Sequence, residues 1–262
     1  MPLLRVRREP PTFRRVSLRR TTSLSPHLLR VTLGGDGLRG YEPGPPAASV
    51  RMLLPRLGDP NLAIPTWNGN EYLHDDGARP TIRTYTPRHV DLSRDELDID
   101  VVLHATGAVP IWLGSAEAGT EVGIAGPGRG YEIDDTATSF VLVGDESAIP
   151  AISQLLEHLP QTVQVRVLVE IANADARHEL PRHPGCTVRW IDRPDEAAPG
   201  STLVTAVEGL AIPDEARLWV AGEAASMQRI RRHLFEERAM PRAQAVVRGY
   251  WKSGKAGDVS GD

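Results

Sequence analysis

Phe140-Val141-Leu142-Val143-Gly144-Asp145-Glu146-Ser147 is where the chain changes its grammar. Its four consecutive apolar residues show no alternation, the pattern of a strand buried on both faces. The Gly-Asp-Glu-Ser turn follows at once, and a helical pattern runs over residues 150–158. A buried strand, a tight turn and a helix opening begin an α/β unit of the kind that takes nucleotides. Further strands are expected over 163–170, 187–191 and 218–220, and an amphipathic helix over 223–238. No Gly-x-Gly-x-x-Gly follows the first strand and there is no Walker-type loop, so the common dinucleotide fingerprint is missing.

Upstream the periodicity differs. Leu29-Arg30-Val31-Thr32-Leu33, Val50-Arg51-Met52-Leu53-Leu54 and Leu97-Asp98-Ile99-Asp100-Val101-Val102-Leu103 are short, extended in pattern and separated by Gly- and Pro-rich turns. From Arg30 to about Ile133 this predicts an antiparallel barrel or sandwich. Residues 55–80, rich in Pro, Gly, Asn and Asp, read as a long excursion between strands. Gly126-Pro127-Gly128-Arg129-Gly130 reads as a turn between two units, with the boundary within 134–139; one unit then spans 1–135 and the other 136–262.

With 262 residues, 40% apolar and 24% charged, the composition is that of a soluble globular protein of one large or two ordinary domains. A net charge of -4 gives no reason to expect nucleic acid or an acidic membrane as partner. Seven arginines against one acid in residues 1–20 make a basic arm, read as a solvated or partly disordered terminus. The single cysteine, Cys186, excludes an internal disulfide and an all-cysteine iron-sulfur cluster, and reads as a small apolar strand residue. There is no apolar stretch of signal-peptide or bilayer-spanning length, so a reducing, cytoplasmic setting is expected. The eight histidines lack metal-ligand spacing and no serine stands in a triad pattern. Only two of the 30 basic residues are lysines, Lys252 and Lys255, close together; a chemical requirement and chance in a polar tail both account for them.

Arg83-Thr84-Tyr85-Thr86-Pro87-Arg88 carries the densest chemistry. A guanidinium fork can meet two phosphate oxygens, a tyrosine offers a flat body beside a ring system, and the Thr86 hydroxyl can donate and accept. In an extended strand Arg83 and Tyr85 share one face, and Pro87 stops the ladder, leaving Thr86 turned out of register toward a ligand. Taken alone, the hexapeptide also fits an exposed edge strand with a turn.

Read together with the segment Asp98–His104, with Gly144-Asp145-Glu146-Ser147-Ala148-Ile149-Pro150-Ala151-Ile152, and with Trp219-Val220-Ala221-Gly222-Glu223 followed by Gly249-Tyr250-Trp251-Lys252-Ser253-Gly254, it has a specific order. The chain resembles the siderophore-interacting protein family of FAD-dependent ferric-siderophore reductases, from about Arg15 to Gly254. The resemblance implies a six-stranded antiparallel FAD-binding barrel followed by a Rossmann-like α/β nucleotide-binding domain. It implies that Arg83, Tyr85 and Thr86 hold the flavin, Thr86 near the reactive ring, and that His104 contacts FAD, the alternative being a solvent-facing strand end. The next turn in the family reads Gly-Pro-Ala-Ser; here Gly107-Ala108-Val109-Pro110 lacks the hydroxyl and one backbone donor that would meet the diphosphate.

The resemblance also implies that Asp145, Glu146 and Ser147 receive the nicotinamide nucleotide, the carboxylates contacting hydroxyls or capping the helix rather than facing phosphate. Gly222 and Glu223 border the same cleft, unless Glu223 is simply a helix-start carboxylate. Tyr250 and Trp251 end the final strand beside the flavin, or form core or lid. Arg51, Arg129 and Lys252 are the candidate patch for an anionic ferric complex. The implied activity passes electrons from NADPH or NADH through FAD to siderophore-bound Fe(III), released as Fe(II). A non-catalytic siderophore-binding or iron-delivery protein, and an NAD(P)H flavin oxidoreductase with another acceptor, are the alternatives. Ferredoxin as donor stays open, as does the chemical class of siderophore. No metal site of the protein's own is implied.

Overall fold

The structure, a computed structural model, describes residues 12–59, 61–104 and 107–254. Lys255 and the first eleven residues of the basic arm lie outside them.

The first nine strands are β1 (Arg14–Ser25), β2 (Leu28–Gly34), β3 (Val50–Leu54), β4 (Thr66–Trp67), β5 (Tyr72–Leu73), β6 (Thr81–Tyr85), β7 (Pro87–Asp91), β8 (Glu96–Val102) and β9 (Glu121–Ala125). All but the small β4–β5 hairpin form one antiparallel sheet in the order β6-β3-β9-β1-β2-β8-β7. Its two end strands, β6 and β7, are separated in the chain by Thr86 alone. Two edges joined by one residue must lie side by side, so the sheet is rolled shut, and β6–β7 is one strand bent at Thr86. Counted that way the barrel has the expected six strands. The interior is packed by Val31, Leu33, Met52, Ile99 and Ile124, every one essentially without exposure.

The basic arm departs from expectation. Residues 14–25 are the barrel's longest strand, paired with both β2 and β9. Val16 and Leu18 alternate into the core while arginines cover the outer face, Arg15 toward Glu121 and Arg20 toward Glu96. The alternation was diluted by arginine, whose aliphatic stem can lie along a sheet while its head stays in water. The 55–80 excursion contains the β4–β5 hairpin, where Tyr72 packs between Phe13 and Trp67 at ring separations of 5.2 and 5.1 Å. Gly107 caps a short helix, α1 (Ala108–Leu113), in place of a simple turn. Pro110 fits there because the first turn of a helix leaves its amides without intrahelical partners.

Strands β10 (Ser139–Asp145), β11 (Gln164–Ile171), β12 (Cys186–Asp192), β13 (Arg217–Glu223) and β14 (Ala245–Trp251) make a parallel sheet in the order β12-β11-β10-β13-β14. Helices α2 (Ile149–His158), α3 (Ser201–Glu208) and α4 (Ala224–Arg232) cover it. Phe140 and Leu142 face the α2 side, Val141 and Val143 the α3–α4 side, which is why that run showed no alternation. Full burial of such side chains stabilises the fold by about 1.5–3 kcal/mol each. From β10 the chain winds outward to β11 and β12, then returns to β13 on the other flank of β10. The β10–β13 boundary is therefore a topological switch point, and the crevice outside the carboxyl ends there is the place for a ligand. No helix among the described residues is long and apolar enough to cross a membrane.

Candidate active site at the seam of the two sheets

Pairing of Met52 with Arg83 and of Val50 with Tyr85 puts Arg83 and Tyr85 on the face that carries buried Val50 and Met52; Arg51 and Thr84 share the other. Tyr85 packs against the barrel core, and burial pushes its phenol well above the ordinary range. Arg83 is half-buried, its Nη1 donating to the Ile82 carbonyl at 2.7 Å, and among the described residues it has no carboxylate partner. Thr86 is buried at the bend itself. Pro87 does not end the ladder: it opens β7, opposite Ile99, at a first-strand position that tolerates a residue without N–H.

Across the seam, the turn after β10 is built around Asp145, whose carboxylate is saturated. Oδ1 accepts from the Ser147 amide at 2.9 Å and hydroxyl at 2.5 Å. Oδ2 accepts from the Glu223 amide at 3.0 Å and from the Trp251 indole at 2.7 Å. One side chain thus ties together the ends of β10, β13 and β14. Burial pushes Asp145 up to about 6, against the pull of the Ser147 and Trp251 hydrogen bonds, with the nearby Glu170 charge adding to the rise. Glu146 accepts from the Ala172 amide at 2.5 Å. Glu223 caps α4 through Ser226 at 3.0 Å and also accepts from Ser253 at 3.2 Å. A Cβ on Gly222 would stand 2.7 Å from Asp145 Oδ2, so the close approach of β13 to that carboxylate requires glycine.

Gly144 is similarly constrained, since a Cβ there would lie 2.4 Å from Ala148 Cβ and 3.0 Å from the Ala221 carbonyl. Gly144→Ala should push the 146–148 turn away from β13 and cost about 1–3 kcal/mol. A lowered urea midpoint checks this; an unchanged one shows that the turn gives way freely.

The two halves meet at Tyr250. Burial raises its phenol pKa, opposed by the Thr86 hydroxyl and the Arg248 guanidinium beside it. Arg248 reaches the carbonyls of Arg129 at 3.0 Å and Gly130 at 2.5 Å, and burial lowers its pKa. Gln154 of α2 donates to the Pro87 carbonyl at 2.7 Å and accepts from the Ala47 amide at 2.8 Å. Arg88 pairs with Glu157 through two bonds of 3.1 and 2.7 Å. Arg248, Gln154 and Glu157 carry no local signature of this work; only the docking of the sheets gives them partners.

His104 is exposed and its ring lies over Gly107, where a Cβ would come within 2.7 Å of Nε2. Ala108 and Val109 form the first turn of α1, Val109 buried in the barrel core. Arg51, Arg129 and Lys252 are exposed and, among the described residues, hold no ion pair. Arg51 pairs with Ala125, so Arg51 and Arg129 lie toward the same end of the barrel; Lys252 follows Trp251 off the end of β14.

Models of two domains match the chain: the siderophore-interacting FAD-binding domain over residues 17–131 and the siderophore-interacting protein over 137–254. The chain is 31% identical over 237 residues to the ferric vibriobactin reductase of Vibrio cholerae, covering 88% of this chain and 86% of that one. The chain belongs to the siderophore-interacting protein family. With the NADPH-dependent ferric-chelate reductase of Escherichia coli this family member shares 28% identity over 91% of its own length and 92% of the other. The solved structure of a siderophore utilization protein from T. fusca superposes with a TM-score of 0.83 at 30% identity, covering 95% and 96% of the two chains. The residues of this siderophore-interacting protein fit FAD. A half-buried guanidinium without a carboxylate partner among the described residues and a buried hydroxyl at the bend suit an anionic diphosphate and a flat ring system.

Proposed function

We propose that the protein is an FAD-dependent ferric-siderophore reductase, which takes electrons from NADPH or NADH and delivers them to siderophore-bound Fe(III), releasing Fe(II). The observation that carries this reading is the docking of the barrel bend on the parallel-sheet unit, where Gln154 of α2 donates to the carbonyl of Pro87, the residue after Thr86, at 2.7 Å. It joins the flavin side of the barrel to the crevice at the β10–β13 switch point. Bound FAD supplies the exchange between a two-electron donor and a one-electron acceptor.

The protein's part is positioning. Arg83 holds the diphosphate or ribityl chain, and Thr86 and Tyr85 border the ring, the Thr86 hydroxyl holding or receiving a proton at the reactive edge. His104 and Gly107, Ala108 and Val109 close the barrel side. Asp145, Glu146 and Ser147 shape the nucleotide turn through backbone groups, because the Asp145 oxygens are already occupied. Gly222, Glu223 and Trp251 complete that wall, and Arg51, Arg129 and Lys252 attract the anionic ferric complex. On this reading an FAD-binding barrel spans 1–135 and a nucleotide-binding domain 136–262. The protein works in the cytoplasm, where NADPH and NADH are held.

The test is an anaerobic absorption record of the FAD-loaded protein before and after NADPH or NADH, and again after a ferric triscatecholate. Bleaching followed by recovery of the oxidised flavin spectrum is expected. Bound flavin that neither nucleotide bleaches points to a ferredoxin donor, and a protein that takes up no flavin overturns the reading. Lys252→Glu should raise KM for an anionic ferric chelate several-fold and leave the flavin content as it was. Since exposed charges contribute little to tight binding, the effect should shrink as salt is added. An unaltered KM removes Lys252 from the patch.

A further inference from the structure

The strand order fixes the direction in which a dinucleotide lies. Tyr250 and Trp251 put the end that meets the barrel at β13–β14, so a nucleotide crossing the β10–β13 crevice carries its adenosine over the carboxyl ends of β11 and β12. Two polar atoms buried without a partner lie in that quarter: Asn173 Oδ1, just past β11, and Arg193 Nε, just past β12. The two belong to adjoining strand ends, because the Arg193 amide donates to the Ile171 carbonyl at 2.9 Å.

Two charged side chains there, Arg177 and Glu170, are already committed. Arg177 Nη2 donates to both carboxylate oxygens of Asp192, at 2.9 and 2.7 Å. Glu170, the acid at the end of β11, turns inward and accepts from the amides of Gly200 at 2.6 Å, Thr202 at 3.2 Å and Leu203 at 3.3 Å, and from the Thr202 hydroxyl. An acid at the end of the second strand is the group that accepts from a ribose 2'-hydroxyl, whereas an arginine receives a 2'-phosphate. Here the acid is used up in starting α3. Arg193 has no ion pair among the described residues, and its Nε lacks a partner. A donor stranded in that way is costly, and a phosphate meeting Nε and a terminal nitrogen together would satisfy it.

We infer that Arg193 reads the 2'-phosphate of the dinucleotide, with the Asn173 amide oxygen accepting from an adjoining hydroxyl or amine of the adenosine, and that this chain selects NADPH over NADH. The inference rests on the reading that a nicotinamide dinucleotide is the electron donor. It deepens that reading by naming the specificity residue.

The FAD-loaded protein is titrated calorimetrically with 2',5'-ADP and with 5'-ADP, and kcat/KM is measured for NADPH and NADH, in wild type, Arg193→Gln and Arg193→Lys. Wild type is expected to bind 2',5'-ADP at least about 10-fold more tightly than 5'-ADP. Arg193→Gln should erode that preference by about 10- to 100-fold, the span of one charge-assisted hydrogen bond, with the loss falling in KM for NADPH. Arg193→Lys should restore part of it. Equal affinity for the two nucleotides in wild type, or a preference that survives Arg193→Gln, overturns the assignment while flavin reduction by either dinucleotide upholds the donor reading. A protein that binds neither nucleotide and is reduced by neither dinucleotide overturns both.

Discussion

Arg83→Ala is expected to be purified as a colourless protein. The side chain sits half-buried on the face of β6 that carries Val50 and Met52 opposite, with the Ile82 carbonyl as its protein partner and no carboxylate among the described residues. A cation left in that position is costly unless an anion reaches it. If the anion is the FAD diphosphate, deletion of the fork removes one or two charge-assisted bonds of about 1.5–3 kcal/mol each, and affinity falls by about 10- to 1,000-fold or more. The ratio of flavin to protein absorbance and a titration with added FAD measure the loss. The variant should melt at the same temperature as wild type stripped of flavin, since Arg83 supports no other described side chain. Arg83→Lys should keep weak binding, because an ammonium supplies the charge without the fork. Full flavin occupancy in Arg83→Ala would falsify the assignment.

The second large effect is expected at Asp145. Asp145→Ala strands the buried Glu223 amide and the part-buried Trp251 indole and Ser147 amide, the first worth about 1–3 kcal/mol and the other two less. Relief of a buried charge offsets part of this, leaving a net loss of about 2–4 kcal/mol at neutral pH. The pH dependence has an unusual sign. The carboxyl titrates near 6 in the folded protein against 3.8 unfolded, so between those values the native state holds the proton more firmly. This group therefore favours folding most below about pH 4, and that contribution is lost as pH rises toward 6, by about 3 kcal/mol for two units. The wild-type advantage over Asp145→Ala should accordingly be larger at pH 4 than at pH 7. Denaturant titrations across that range decide it; parallel pH curves for the two proteins would show that Asp145 titrates at its ordinary value.

The sequence showed most clearly what short-range order determines. Phe140-Val141-Leu142-Val143 announced a strand buried on both sides, and Arg83 with Tyr85 could be put on one face, because periodicity is a local property. Strand β1 was masked by its arginines, which hide Val16 and Leu18 in a basic composition. Helix α3 escaped notice because its start depends on Glu170, which lies 30 residues before Gly200. The Asp145–Trp251 bond joins residues 106 apart, and Arg248 finds its carbonyl partners 118 and 119 residues upstream. No pattern within one segment encodes such pairs. They exist only once two independently formed sheets have come together.

Strands β6 and β7 belong to opposite ends of one sheet, yet share Thr86 as their sole connection. Their spacing is consequently a matter of length before it is a matter of residue type. An added or lost residue between Tyr85 and Pro87 cannot be absorbed in a loop, because there is none. It must slide β6 along β3 or β7 along β8 by one place, and a slip of one turns the inward side chains of a whole strand outward. The excursion at 55–80 can lengthen or shorten at little cost, since closure entropy grows only slowly with length. Among homologous chains, insertions and deletions should therefore collect in that excursion and be barred from the Thr86 corner, whatever amino acid stands there.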